Sequence, residues 1–126
     1  MSCGEKVGYY KDIPPEELPE KFGSDATIRW LIKKEDEAPT YAMRVFTIYP
    51  GGHINPHDHP WEHEIFILSG NGRIRIGSNW YDVKKGFYIY VPPNVEHEYI
   101  NNGSEPMEFI CVIPHEPTAE RKKIIC

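Results

Sequence analysis

The sequence predicts an all-β fold, a barrel or jelly roll of antiparallel strands, and three observations carry that expectation. Its 10 glycines and 12 prolines fall between short apolar runs, which is how many short strands are punctuated. Roughly eight or nine such runs have strand character, with turn residues between them. No stretch keeps a helical apolar period over the length of a helix. At 126 residues with 40% hydrophobic content, the chain is sized for one domain with one core. Its expected layout is an N-terminal arm and first strand over 1–35, a barrel core over 40–114 and a tail over 115–126.

Taken in order, residues 1–23 read as an irregular arm, because Pro14, Pro15 and Pro19 leave room for at most one helical turn. The first strand is expected over 27–32, which is β-branched and aromatic, and 33–39 is a charged loop. Residues 41–49 form the next strand, with strong β preference from Val45 to Tyr49. Pro50-Gly51-Gly52 is expected to turn it sharply. Strands over 73–76 and 80–83 are joined by the hairpin signal Gly77-Ser78-Asn79. Residues 87–91 are a continuous apolar strand stopped by Pro92-Pro93-Asn94. A strand over 97–101, the turn Asn102-Gly103-Ser104 and a last strand over 107–113 complete the series.

Charge and cysteine usage exclude several classes. A formal net charge of −5 without a basic block argues against nucleic acid or an anionic membrane as partner. The cluster at 121–123 reads as solvated tail. The apolar runs at 65–68 and 109–113 are far too short to cross a bilayer. Residues 1–6 lack the apolar run of a signal peptide, so cytoplasm is the default compartment. Three cysteines, at 3, 111 and 126, make neither a disulfide framework nor a Cys-x-x-Cys pair, and reduced thiols are expected.

The chemistry concentrates between Gly51 and Gly70, which hold four of the six histidines. His57, His59 and His63 share odd parity. If the chain stays extended past Pro60, their imidazoles point to one side and Glu62 and Glu64 to the other. Three neutral imidazoles on one face make a poor core but a good donor set for a divalent transition metal. His97 is available as a fourth donor, and Glu64 is the alternative to His63. His53 is a weak candidate acid or base at the pocket mouth, with plain surface as the blander reading, and His115 reads as surface. Cys111 shares parity with Phe109 and Ile113. Cys111 and Phe109 are expected to line the interior, the thiol as a small buried hydrophobe sooner than a reactive group. Trp61, between the histidines, shields the metal or packs at an interface.

These residues fall into two blocks that resemble the paired motifs of the cupin superfamily. The first pattern is G-x5-H-x-H-x3,4-E-x6-G, and Gly51, His57, His59, His63 and Gly70 fit its spacing with histidine in the acidic slot. The second is G-x5-P-x-G-x2-H-x3-N, matched by Gly86, Pro92, His97 and Asn101. Asn94 stands where the family has glycine, a mild departure because asparagine tolerates a left-handed backbone. The resemblance, which is greatest to small single-domain prokaryotic cupins, implies an antiparallel double-stranded β-helix. It also implies one metal ion on His57, His59, His63 and His97. A homodimer follows from the family's habit and from the many aromatic residues near outer strands.

Four neutral imidazoles leave the dication's full charge at the site, which favours anionic chelates such as enolates or α-keto acids. Imidazole suits Mn, Fe, Co, Ni, Cu and Zn alike, so ligand type does not choose the ion. Four protein donors on an octahedral ion leave two neighbouring positions for a bidentate substrate, or for substrate plus dioxygen. A five- or six-coordinate ion with exchangeable ligands is expected, not a closed tetrahedral one. The leading expectation is a dioxygenase-like oxidoreductase acting on a small organic molecule. The alternatives are a sugar or keto-acid isomerase or lyase, and a non-catalytic small-molecule binding module.

Overall fold

A computed structural model describes residues 3–115. Nine strands run in chain order among the described residues: β1 (Glu16–Glu17), β2 (Gly23–Ile32), β3 (Tyr41–His57), β4 (His63–Ser69), β5 (Asn71–Ile76), β6 (Asn79–Lys84), β7 (Tyr88–Val91), β8 (His97–Ile100) and β9 (Met107–Pro114). Two 3-10 turns, Tyr10–Asp12 and Lys34–Asp36, are the only helical pieces described. Every pairing is antiparallel. The strands follow one another as β6-β5-β8-β3-β9-β4-β7, with β2 on β3 and β1 on β2. This is the expected all-β class, in a strongly curled antiparallel sheet.

Strand β3 organises the rest. Over 17 residues it pairs first with β9, from Tyr41↔Pro114 to Ile48↔Met107, and then with β8, from His53↔Ile100 to His57↔His97. Pro50-Gly51-Gly52 therefore bends a continuing strand, where the sequence suggests a turn that ends it. Gly51 takes a left-handed backbone at φ +81. Gly52 permits a close approach, since a Cβ there would lie 2.6 Å from the Asp25 carbonyl oxygen. Asn101, 2% exposed, fastens the bend. Its amide donates to the carbonyls of Ile48 and Glu105 at 2.8 Å, and its Oδ1 accepts from Gly103 N–H.

Other expectations shift in detail. The first strand begins at Gly23, earlier than residue 27, because β2 lies close against β3: a Cβ on Gly23 would meet the His53 carbonyl oxygen at 2.5 Å. The segment before it adds the short β1 and packs on its own barrel. Tyr10 Oη donates to Glu108 Oε1 at 2.9 Å, and Arg29 Nε donates to the Ile13 carbonyl. The β5–β6 hairpin has a two-residue loop, with Ile76 facing Asn79 and Gly77 at φ +60. The apolar run at 87–91 is not buried on both faces: Val91 is enclosed while Tyr88 and Tyr90 are exposed.

Alternation along β3, β4 and β9 builds the core. Phe46, Ile48, Ile65, Ile67, Met107 and Phe109 all point inward and are buried. Phe109 stacks on Phe46 at 5.3 Å and on Tyr99 at 5.1 Å. Full burial of each such side chain stabilises by about 1.5–3 kcal/mol. Cys111 is free and buried. Cys3, however, is disulfide-bonded, against the expectation of reduced thiols. Sequence separation says nothing about whether two cysteines come within bonding distance, so the cysteine count ceases to argue for a reducing compartment. No helix among the described residues is long and apolar enough to cross a membrane. The cluster at 121–123 and the tail beyond residue 115 lie outside the described residues.

Candidate metal centre

The four histidines come from four different places in the fold. His57 ends β3 and faces His97, the first residue of β8, across the ladder. His63 opens β4, and His59 lies in the loop between β3 and β4. The chain is thus not extended from 57 to 63, although the shared-face expectation assumed that it was. The convergence has another cause: the loop is held by Asn94, whose N–H donates to the His59 carbonyl at 2.6 Å. Asn94 takes the left-handed backbone at φ +63 that its glycine-like place in the motif requires. Trp61 lies flat on His59, with ring centroids 4.6 Å apart and planes 2° from parallel.

One ligand atom from each of His57, His59, His63 and His97 falls within 4.8 Å of the others. The hydrogen bonds settle which nitrogens face inward. His57 Nδ1–H donates to the Asn55 carbonyl at 2.7 Å, and His97 Nδ1–H to the Val95 carbonyl at 2.9 Å. This places their protons on Nδ1 and leaves each Nε2 lone pair free. His63 Nδ1 lies 3.1 Å from Cys111 Sγ, and the same sulfur accepts from Arg44 Nη2 at 3.1 Å. Nε2 of His63 and of His97 are buried and bonded to nothing. Two orphaned buried acceptors are costly alone, and a divalent ion accepting both lone pairs would satisfy them. The donor set therefore fits a transition metal, and a bond from the far ring nitrogen to a carbonyl is what orients a metal-bound imidazole.

Burial keeps the rings of His59, His63 and His97 neutral, as metal ligation needs. Burial pushes His59 down to about 4, helped by His57 and His97. Burial likewise pushes His63 down to about 2, with His97 and Arg44 adding repulsion. His97 is lowered mainly by burial, opposed by its bond to Val95.

The cluster borders a cavity of about 530 Å³. Ile28, Trp30, Phe46 and Ile54 give it an apolar wall; Arg44, Tyr99 and Cys111 bring polar atoms, and Glu16 and Glu17 of β1 border it too. Tyr99 is held protonated by burial, well above the usual phenol range. Burial also raises the Cys111 thiol, and Arg44 opposes the shift.

Cys111 thus lines the cavity as expected, but Phe109 does not. Phe109 shares its parity yet stands one layer deeper, behind Phe46 and Tyr99. His53 is likewise outside the cavity. It pairs with Ser24 and Ile100, and the register shift between Ile54 and His57 puts it on a different face from His57. Glu64 points away from the histidines onto the outer face beside Phe66, Tyr88 and Tyr90. His115 is half-buried, its N–H donating to the Thr40 carbonyl. Arg44, Tyr99 and β1 are the contributors that sequence reading passed over. Arg44 was accessible in principle, since it keeps the inward parity of Phe46 and Ile48.

Fold and site together define a class: a curled antiparallel β-barrel with a four-histidine group able to hold a metal ion at a cavity. The model of the Cupin domain matches residues 44–113, and the chain belongs to the cupin family. Among solved structures it is similar to the polyketide cyclase RemF from Streptomyces resistomycificus. The TM-score is 0.83 at 26% identity, covering 96% of this chain and 87% of that one. It is similar also to a predicted oxalate decarboxylase from Thermotoga maritima, with TM-score 0.78 at 25% identity over 86% of this chain and 98% of the other. The dimethylsulfoniopropionate lyase DddW from Ruegeria pomeroyi is 28% identical over 77% of this chain and 67% of its own length. Of two other curated relatives the chain spans only 45% and 16% of the length.

Proposed function

We propose that His57, His59, His63 and His97 hold one divalent transition metal, and that the protein is a metal-dependent enzyme acting on a small organic molecule. The observation that carries this reading is the pair of buried, unbonded Nε2 atoms converging with two further imidazoles beside an apolar cavity. The ion would supply Lewis acidity, polarising an oxygen of the substrate. The chain's own residues would do the rest: the apolar wall would exclude water, and Tyr99, kept protonated by burial, would offer a hydrogen-bond donor beside the cluster, its ring 5.8 Å from that of His97. A non-oxidative bond-breaking or rearranging reaction is favoured, because the similar proteins carry the names of a cyclase, a decarboxylase and a lyase.

The dioxygenase-like oxidoreductase is the second reading. It is supported by an all-imidazole donor set, which accommodates redox-active Fe, Mn and Cu as readily as Zn. Elemental analysis of protein purified without added metal tests the shared premise, and absence of any bound transition metal sinks both readings. Turnover with oxygen uptake favours the oxidoreductase, and anaerobic turnover the other. Tight ligand binding without turnover would leave a binding module. A homodimer belongs to the same proposal. The dimer is supported by the exposed Phe66, Tyr88 and Tyr90 on β4 and the edge strand β7. A monomer in sedimentation at micromolar concentration would remove it.

A further inference from the structure

Arg44 is the one arginine among the described residues with no carboxylate partner. Arg29 pairs with Glu108, Arg73 with Asp82, and Arg75 with Glu96 and Glu98. Arg44 lies instead on β3, between Trp30 of β2 and Cys111 of β9 in the ladder. Its guanidinium carbon stands 4.8 Å from the Phe46 ring centroid and 5.4 Å from that of Trp30. The only hydrogen bond shown for it runs to Cys111 Sγ, while Nε is buried with no partner. The other ionisable groups bordering the cavity besides the histidines, Tyr99 and Cys111 are Glu16, Glu17 and Lys21, all exposed and none paired with Arg44. A guanidinium with a buried unpaired edge is costly unless something of opposite charge meets it.

We infer that Arg44 is the anion-docking residue of this cavity, and that the cavity takes a small monocarboxylate with an apolar body. Guanidinium offers a planar fork matched to carboxylate, and the rings of Trp30 and Phe46 hold that fork in place before a ligand arrives. Through Cys111 it stands two hydrogen bonds from the His63 ring, so a carboxylate bound to it lies next to the histidine cluster. The apolar wall formed by Ile28, Phe46 and Ile54 suits the rest of the molecule. This inference deepens the proposed function by naming a substrate class, and it rests on that reading only for what happens after binding.

The test uses cinnamate and 4-methylpentanoate, each beside its neutral amide, titrated calorimetrically into wild type, Arg44→Lys and Arg44→Met. Metal content and thermal midpoint are recorded for each protein. Wild type should prefer each acid over its amide. Arg44→Met should bind the acids about 10- to 100-fold more weakly, the worth of a charged hydrogen bond, with amide binding and metal content unchanged. Arg44→Lys should keep part of the preference. Equal acid binding by wild type and Arg44→Met overturns the inference, as does failure of wild type to bind either acid. Parallel loss of acid, amide and metal also overturns it, making Arg44 a positioning residue that acts through Cys111 on His63. If wild type holds no metal yet acid binding still depends on Arg44, the metal reading fails and this one stands.

Discussion

The two faces of β4 are made by alternate residues of one short strand and have little else in common. Inward, His63, Ile65 and Ile67 are 3%, 4% and 1% exposed. Ile65 and Ile67 face Cys111 and Phe109 of β9 across the ladder. Outward, Glu64 and Phe66 lie in the open beside Tyr88 and Tyr90 of β7. The outer face is as rich in aromatic rings as the inner one, so hydrophobicity alone does not tell them apart. What separates them is enclosure: the inner face is covered by β3 and β8, and enclosure both strips water from the imidazoles and makes each methylene count.

The largest contrast should appear in stability. Phe109→Ala removes a ring stacked between Phe46 and Tyr99 and should cost about 3–5 kcal/mol in denaturant unfolding. Phe66→Ala, 47% exposed, should cost less than about 1 kcal/mol. Comparable losses would dissolve the distinction between the faces. Next comes metal retention, measured by elemental analysis after dialysis. His63→Ala should weaken retention by more than about 100-fold, since even a group that only hydrogen-bonds to a ligand is worth about 10- to 100-fold. Glu64→Ala should change it little, and equal loss in both would refute the choice of His63 over Glu64 as the ligand.

A smaller effect is expected from pH. In the metal-stripped protein, the folded-state values of about 4 for His59 and about 2 for His63 lie below the ordinary 6.5. Below pH 6.5 the unfolded chain takes up protons that the folded chain refuses, so stability is complete above 6.5. It is lost as pH falls toward 4 and, for His63, further toward 2. Proton competition for metal should accordingly set in nearer pH 4 than 6.5 at His59. Thermal midpoints from pH 7.5 to 4 check the sign, and His59→Gln should flatten the slope. Least of all, Tyr88→Ser at an 86% exposed position should leave monomer stability within about 0.5 kcal/mol. Any larger change, read as an oligomer shift in sedimentation, would mark the outer face as an interface.

Much of this was legible because period-two alternation and turn residues announce strands one at a time. The strands after residue 70 were placed within a few residues. His97 was found through Pro92 and Asn101, whose spacing fixes a turn and a register. What could not be read depends on partners distant in sequence. Pro50-Gly51-Gly52 looks like an ending unless one knows that Asn101 and Asp25 receive the bend. Arg44 keeps the inward parity of Phe46 and Ile48, but nothing in its own strand says that Trp30 and Cys111 flank it. The parity of His57, His59 and His63 pointed to one cluster although the assumed straight strand does not exist, because a loop pinned by Asn94 brings the rings together instead.

The length of β3 has a consequence for how the chain reaches its native state. Tyr41 must find Pro114 and His53 must find Ile100, so the second half of this strand waits for β8 and the first half for β9, the last strand. Closing such long loops before any pairing is rewarded slows folding, to milliseconds or seconds as an order of magnitude for barrels dominated by distant contacts. During synthesis β3 leaves the ribosome well before β9, and its unpaired edge is exposed in the interval to other nascent chains. Aggregation in overexpressing cells should therefore respond to translation speed and temperature more than to the final stability of the barrel.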